Sequence, residues 1–320
     1  MIKAFVVSND LLRRVDGLEG HEAEVVWADL MAPTKEEELA IESWLGVGIP
    51  TLEEMQEIEA SSRLYSENGA FFMTATLPAN ADGDKPQMSP VTFVLSGRRL
   101  VTIRYHEPRA FQTFPTHAEK AAIGCADGQT VLLGLLEAVI DRLADVLERI
   151  SRDIEVLSDE IFHPAETKAP QRDRDFHRLL KDIGRKESLT SKIRDSLASL
   201  QRLTGFLGTA VAGKDAHARV KTLSRDGLSL ADHASFLSQK TTFLLEATLG
   251  MVNIEQNAII KIVSLAAVVF LPPTLVASIY GMNFEIMPEL KWLWGYPFAI
   301  VLMIVSAILP YWFFRYRGWM

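Results

Sequence analysis

Cysteine is almost missing: the 320-residue chain holds one, Cys125, so neither an intrachain disulfide framework nor a cysteine-rich zinc site can be built from it. Positive charge is also short, with 33 lysines and arginines against 41 aspartates and glutamates and a formal net charge of -8. A nucleic-acid partner needs a basic face, which this balance argues against, while an acidic surface suits cations. The seven histidines show no HExxH-type spacing and no Gly-x-Ser-x-Gly occurs, so nothing points to an enzyme. GTAVAGKD at 208–215 comes near the phosphate-binding pattern Gly-x-x-x-x-Gly-Lys-Ser/Thr. It ends in Asp215, a carboxylate where a magnesium-binding hydroxyl is needed, and no strand precedes it, so a helix connection and no nucleotide are expected. Asp10, Arg13 and Arg14 fall where the apolar core of a secretory signal would lie, so none is expected and the N-terminal part is placed in the cytoplasm.

What the sequence does have is two long runs without charge. Residues 262–280 give 19 uncharged residues in succession and 293–314 give 22. Each is long enough to cross a ~30 Å hydrocarbon core at about 1.5 Å per residue. One such run fits a buried helix of a soluble protein; two, joined by only twelve residues, read as spans of a lipid bilayer. Lys261 precedes the first, Arg315 and Arg317 follow the second, and Lys291 is the one base between them. The positive-inside bias therefore puts both termini in the cytoplasm and the loop outside.

Residues 1–115 read as a cytoplasmic α/β domain, with strands expected over 3–7, 23–27 and 70–77 and a hairpin of VTFVLS and RLVTIRY around Ser96-Gly97. Helical patterning fills TKEEELAIESWL and TLEEMQEIEASS, the latter opened by Thr51 as N-cap with Glu54 three residues on. A helical hairpin is expected over 116–215. Its first arm carries Leu136, Ile140, Leu143, Leu147, Ile150, Ile154, Leu157 and Ile161 in alternating steps of four and three, the seam of a long packed helix, and ends at His163-Pro164-Ala165. The return arm carries Leu180, Ile183, Ile193, Leu197 and Leu200. Glu137, Asp141, Asp145, Glu155 and Asp159 stripe the first arm with acid, either a solvated face or a surface that accumulates divalent cations. A stalk helix over 216–257 then runs into a span at 258–280, followed by a loop at 281–292, a second span at 293–314 and a basic tail at 315–320. The fold class is an α+β cytoplasmic domain with a long stalk helix and two transmembrane helices.

The first span has a distinct face. Heptad steps back from Ser278 give Leu271, Ser264 and Asn257, with Thr274, Ala267 and Ile260 between them. A row of small and polar groups in lipid suits close helix packing or a water-lined path. A chain with two spans cannot enclose a pore alone, so a path would require a cyclic oligomer.

Gly281-Met282-Asn283 directly after this run, then Met287-Pro288-Glu289-Leu290, a second span and terminal bases, resemble the CorA family of bacterial magnesium transporters. The stretch NIEQNAIIKIVSLAAVVFLPPTLVASIYGMNFEIMPELKW is similar to its enterobacterial branch. The resemblance implies a funnel-shaped homopentameric channel of the bacterial inner membrane. It would take up Mg²⁺, with Co²⁺ and Ni²⁺ also permeant, driven by the membrane potential. Mg²⁺ would be both transported ion and regulatory ion, the latter bound between subunits. Gly281, Met282 and Asn283 would form the selectivity filter at the external mouth, with Glu285 and Glu289 attracting cations from outside. Asn257, Val263, Ser264, Leu271, Thr274 and Ser278 would line the pore, Leu271 and Val263 as dewetting constrictions and Asn257 as the inner polar ring. Regulatory acids are expected in Asp82 or Asp84 with Asp226 or Asp232, and in Glu246 as a second site. Two other readings stand beside this one: a zinc transporter of the same superfamily, and a membrane-anchored cation sensor or scaffold that conducts nothing.

Overall fold

Strands rich in β-branched and aromatic residues build a mixed sheet that carries everything N-terminal to the long helices. The structure, a computed structural model, describes residues 1–8, 11–83, 85–120, 124–163, 169–283, 288 and 292–318. It divides into two compact units, Met1–Leu245 and Glu246–Met320.

In the first unit β1 (Ile2–Ser8), β2 (Leu11–Val15), β3 (Val25–Met31), β4 (Leu64–Glu67), β5 (Ala70–Ala79), β6 (Gln87–Ser96) and β7 (Arg99–Arg104) form one sheet in the order β2-β1-β3-β7-β6-β5-β4. The β3 and β7 strands run parallel; the other neighbours are antiparallel, including the expected β6–β7 hairpin. Side chains alternate between two buried faces. Ala28, Leu30, Val101 and Ile103 point one way, onto Ile41 and Leu45 of α1 (Lys35–Leu45) and Met55 of α2 (Leu52–Gln56). Trp27, Asp29, Thr102 and Arg104 occupy the alternate positions of the same two strands. There Arg104 lies over the ring of Phe111 in α4 (Ala110–Ala118), its guanidinium carbon 4.9 Å from the ring centre.

Three local expectations shift. The strand placed at 23–27 begins at Val25, because the Glu24 and Val25 amides close a turn onto the His21 carbonyl. TLEEMQEIEASS is not one helix: Thr51 and Glu54 make the expected reciprocal cap, but Glu57 turns extended at ψ 143 and ends α2, and α3 (Ala60–Arg63) follows separately. The short β2 and β4 were not foreseen; they are edge strands whose outer positions, Arg13, Arg14, Ser66 and Glu67, are exposed.

The helices that follow are long: α5 (Gly128–Phe162), α6 (Ala169–Ala210) and α7 (Lys214–Tyr280). Asp127 caps α5, and all eight residues of its expected seam are buried. Gly128 sits where a Cβ would stand 2.5 Å from the Leu100 backbone nitrogen, so the start of α5 can abut β7 only with glycine there. On α6 the seam begins at buried Leu179, with Leu180 half-buried. The second unit holds the C-terminal part of α7 and α8 (Gly295–Tyr316).

Candidate functional site

Two helices, α7 and α8, are long and apolar enough to cross a membrane. Within the uncharged part of α7, Leu265, Val268, Val269, Pro272, Pro273, Val276 and Tyr280 are half-buried. At about 100° per residue they share one side of the helix. Val263, Leu271, Thr274 and Ser278 fall on the opposite side, while Asn257 and Ser264 stand at the edge of the half-buried arc, beside Val268; all six are exposed, Val263 at 62% and Leu271 at 68%. Phe314 of α8 joins Ile260, Ser264, Leu265 and Val268 in lining a cleft of about 400 Å³, so α8 returns antiparallel to α7 within this unit. Leu271, Thr274 and Ser278 thus point away from the half-buried side of α7, while Ser264 lines the cleft beside Phe314. Pro272 and Pro273 lack the amides that would reach the Val268 and Val269 carbonyls, while Thr274 closes its own hydroxyl onto the Phe270 carbonyl at 2.7 Å.

Gly281, Met282 and Asn283 follow the helix end and are exposed. The Gly281 amide donates to the Ala277 carbonyl at 2.9 Å, and that of Met282 to Ile279 at 3.2 Å. A Cβ on Gly281 would lie 3.2 Å from the Ala277 oxygen, a backbone atom with little room to yield. A side chain there would need the Ala277 carbonyl to shift by a few tenths of an ångström, and no left-handed turn is involved. Glu285 and Glu289 lie outside the described residues, as does Asp84.

The remaining acids behave differently from a metal site. Asp82, just after β5, accepts from Arg109 at 2.9 Å, from Arg142 at 2.5 Å and from Arg149. These partners, Arg142 first, hold its carboxyl far below the usual carboxylate range. As placed, Asp82 is an arginine acceptor rather than a metal ligand, since three guanidinium charges repel a divalent cation. Asp226, Asp232 and Glu246 are exposed on α7. Burial raises the Asp141 carboxyl, with Glu137, Asp145 and Asp226 adding repulsion. Among the described residues no group of three or more His, Cys, Asp or Glu is placed to hold a metal ion. Two acids of the α5 stripe are taken up by bases from other helices, Glu137 by Arg219 at 2.8 Å and Glu155 by Lys240 at 3.2 Å, and nearby Asp153 is taken up by Lys186 at 2.5 Å. The three arginines on Asp82 escaped sequence reasoning. The available signal was the seven-residue spacing of Arg142 and Arg149, which sets both on one face of α5.

A family model described as "CorA-like Mg2+ transporter protein" matches residues 22–316. The chain is 37% identical to the "Magnesium transport protein CorA" of Escherichia coli (strain K12) and 36% identical to that of Pasteurella multocida (strain Pm70), over the full length of each. Its fold is similar to "The complete structure of CorA magnesium transporter from Methanocaldococcus jannaschii", with a TM-score of 0.78 at 19% identity, covering 100% of this chain and 99% of that one.

Proposed function

Because the chain belongs to the CorA family of Mg²⁺ transporters, we propose that it assembles as a homopentamer in the bacterial inner membrane and conducts Mg²⁺ inward along the exposed polar face of α7. One observation carries the reading: Leu271, Thr274 and Ser278 lie on the side of α7 opposite its half-buried positions, and that exposed face leads to Gly281-Met282-Asn283. Copies of α7 around an axis would join these groups into a path, Asn257 at the cytoplasmic end and Asn283 at the mouth. The loop at 281–292 would face outward and both termini inward, with residues 1–115, 116–215 and 216–257 as cytoplasmic domain, hairpin and stalk.

The chemistry of the ion suits such a mouth. Mg²⁺ holds about six oxygens at 2.0–2.1 Å and gives up its water shell reluctantly. A carboxylate ring would compete for the ion itself and release it slowly, whereas the Asn283 amide oxygens accept hydrogen bonds from its waters. Selection is then of a hydrated ion, held weakly enough to leave. Co²⁺ and Ni²⁺, of similar hydrated size, pass as well. Leu271 and Val263 form the apolar constrictions, closed when dry. Glu285 and Glu289 raise the cation concentration outside.

The membrane potential suffices as driving force. Two charges moved through 100 mV release about 4.6 kcal/mol, enough to hold a gradient on the order of a thousandfold without a nucleotide. Feedback by intracellular Mg²⁺ would need ligands from more than one subunit, with Asp226, Asp232 and Glu246 of α7 as candidates. Such a bridge would hold neighbouring chains in the closed arrangement.

Growth of a magnesium-uptake-deficient bacterium tests the whole reading. The wild-type chain should restore it; Asn283→Ala should not, while still assembling. A scaffold that conducts nothing would be indifferent to that change. Proton-coupled zinc uptake into reconstituted vesicles, with no Mg²⁺ flux, would instead establish the zinc reading.

A further inference from the structure

Arg109 of α4 and Arg142 and Arg149 of α5 converge on the Asp82 carboxylate, with Asp145 a more distant second acid 4.0 Å from Arg142, in a chain whose formal net charge is -8. The two α5 residues stand two turns apart on one helix face. Arg149 is fixed further by donating to the Ala81 carbonyl at 2.8 Å. Between them the guanidinium groups carry more N–H donors than one carboxylate can accept, and their fork geometry matches phosphate oxygens in pairs.

Beside the cluster lies a cavity of about 630 Å³, lined by Asp82 and Arg149 and, further in, by Lys85, Lys186 and Lys192. That volume is within the range of small-molecule sites. Lys186 is engaged by Asp153 at 2.5 Å. Lys192 reaches the Pro86 carbonyl at 2.9 Å, and among the described residues neither it nor Lys85 has a carboxylate within ion-pair distance. Across Asp82 a second cavity of about 350 Å³ is lined by Arg109 and Arg142. The larger cavity is also lined by Asp153, Glu160 and Asp182 and the smaller by Glu107, so the excess of cations is local to Asp82, where the convergence of three arginines has the layout of an anion site that the chain fills itself.

We propose that Arg109, Arg142 and Arg149 bind a free phosphate-bearing polyanion, and that Asp82 is the tethered occupant this ligand displaces. The shared chemistry is a chain of phosphate groups, from inorganic polyphosphate or from a nucleoside polyphosphate.

Two substitutions act in opposite directions, which a merely structural cluster would not produce. Asp82→Asn withdraws the competing charge and should tighten binding by about tenfold or more. Arg149→Gln removes charge-assisted donors and should weaken it by about tenfold to a hundredfold. The assay is isothermal titration of the full-length protein in detergent with tripolyphosphate, ATP and orthophosphate, in magnesium-free buffer at matched ionic strength. If Arg149→Gln does not fold, Arg149→Lys keeps the charge, loses the fork and should still bind more weakly than wild type. ATP binding at least tenfold tighter than tripolyphosphate assigns a nucleoside polyphosphate; equal affinities assign inorganic polyphosphate. No binding of any of the three, or Asp82→Asn weakening or leaving the affinity unchanged, overturns the proposal. Mg²⁺ uptake is not the readout, so the outcome is separate from that of the transport reading.

Discussion

Asp29→Ala isolates a charge in the centre of the sheet. Arg104 is fully buried and Asp29 is 1% exposed. They meet in a two-pronged pair, Nε to Oδ1 at 3.0 Å and Nη2 to Oδ2 at 2.8 Å. Thr102 donates to the same carboxylate at 2.8 Å, and Trp27 donates to Thr102 at 3.0 Å. Removing the carboxylate leaves a guanidinium in a dry interior with the His106 carbonyl, at 2.8 Å, as its one remaining oxygen acceptor among those described. Breaking a buried pair from one side costs about 3–5 kcal/mol. Against a total stability of roughly 5–15 kcal/mol, that is a large fraction. At about 2–4 °C per kcal/mol for a unit of this size, the melting temperature should fall by roughly 6–20 °C. Removing both charges together, Asp29→Leu with Arg104→Met, should recover most of the loss, since no charge is then stranded. Thermal melts of the full-length protein in detergent measure both. A fall of less than about 2 °C in Asp29→Ala, or a double variant no better than the single, would refute the reasoning.

Four further outcomes follow from the same structure. Leu271→Ser wets the proposed constriction and should raise resting Mg²⁺ flux in vesicles by several-fold; unchanged flux removes Leu271 from the gate. Asn283→Asp should tighten Mg²⁺ binding at the mouth while slowing uptake, read as a lower half-saturating concentration with a lower maximal rate. His106 donates through Nε2 to the Leu77 carbonyl at 2.8 Å and leaves Nδ1 buried without a partner, so burial pushes its imidazole below the ordinary range. Its contribution to stability is complete above about pH 6.5 and is lost as pH falls through the depressed folded value; His106→Gln should flatten that part of the melting profile. Asp141 is shifted the other way, its carboxyl raised by burial and then by Glu137, Asp145 and Asp226. A raised carboxyl weakens the fold at neutral pH and relents as pH falls, so Asp141→Asn should stabilise at pH 7 by about 0.2–0.5 kcal/mol per like-charge neighbour and no longer gain on acidification.

What could be read in advance depended on how local the determinant was. The α5 seam was legible because leucine and isoleucine fill it; the seam of α7 was not. There the buried positions are Ala216, Val220, Leu223, Gly227, Ala234, Leu237, Thr241, Leu244 and Thr248, steps of three and four broken by one of seven after Gly227, with five of the nine small or hydroxylated. Hydropathy does not register such a row, although small side chains let helices approach closely. The one-residue shift from Leu180 to Leu179 on α6 has a similar cause, since neighbouring leucines leave the phase of the seam ambiguous. The edge strands β2 and β4 are too short and too charged to show a period of two. Asp82 and Arg149 are separated by 67 residues, and nothing short of the fold announces their meeting. The family was legible for the opposite reason, since Gly281-Met282-Asn283 is a contiguous motif directly after an apolar run.

The end of α7 supplies something that motif alone does not. A helix C-terminus carries about half a negative charge, spread over its last carbonyls. Here Ala277 and Ile279 are taken by the Gly281 and Met282 amides. Among the described residues the carbonyls of Ser278 and Tyr280 have no such backbone donor. The end of α7 therefore offers fractional negative charge from fixed dipoles beside the neutral Asn283 amide, with no carboxylate among Gly281, Met282 and Asn283. In the proposed ring of chains these partial charges would add, attracting a divalent ion while leaving its water shell in place. That division of labour explains why an acidic chain keeps carboxylates out of the tripeptide. In the proposed channel, Glu285 and Glu289 would gather the ion, and the step that must release it would be left to amides and carbonyls.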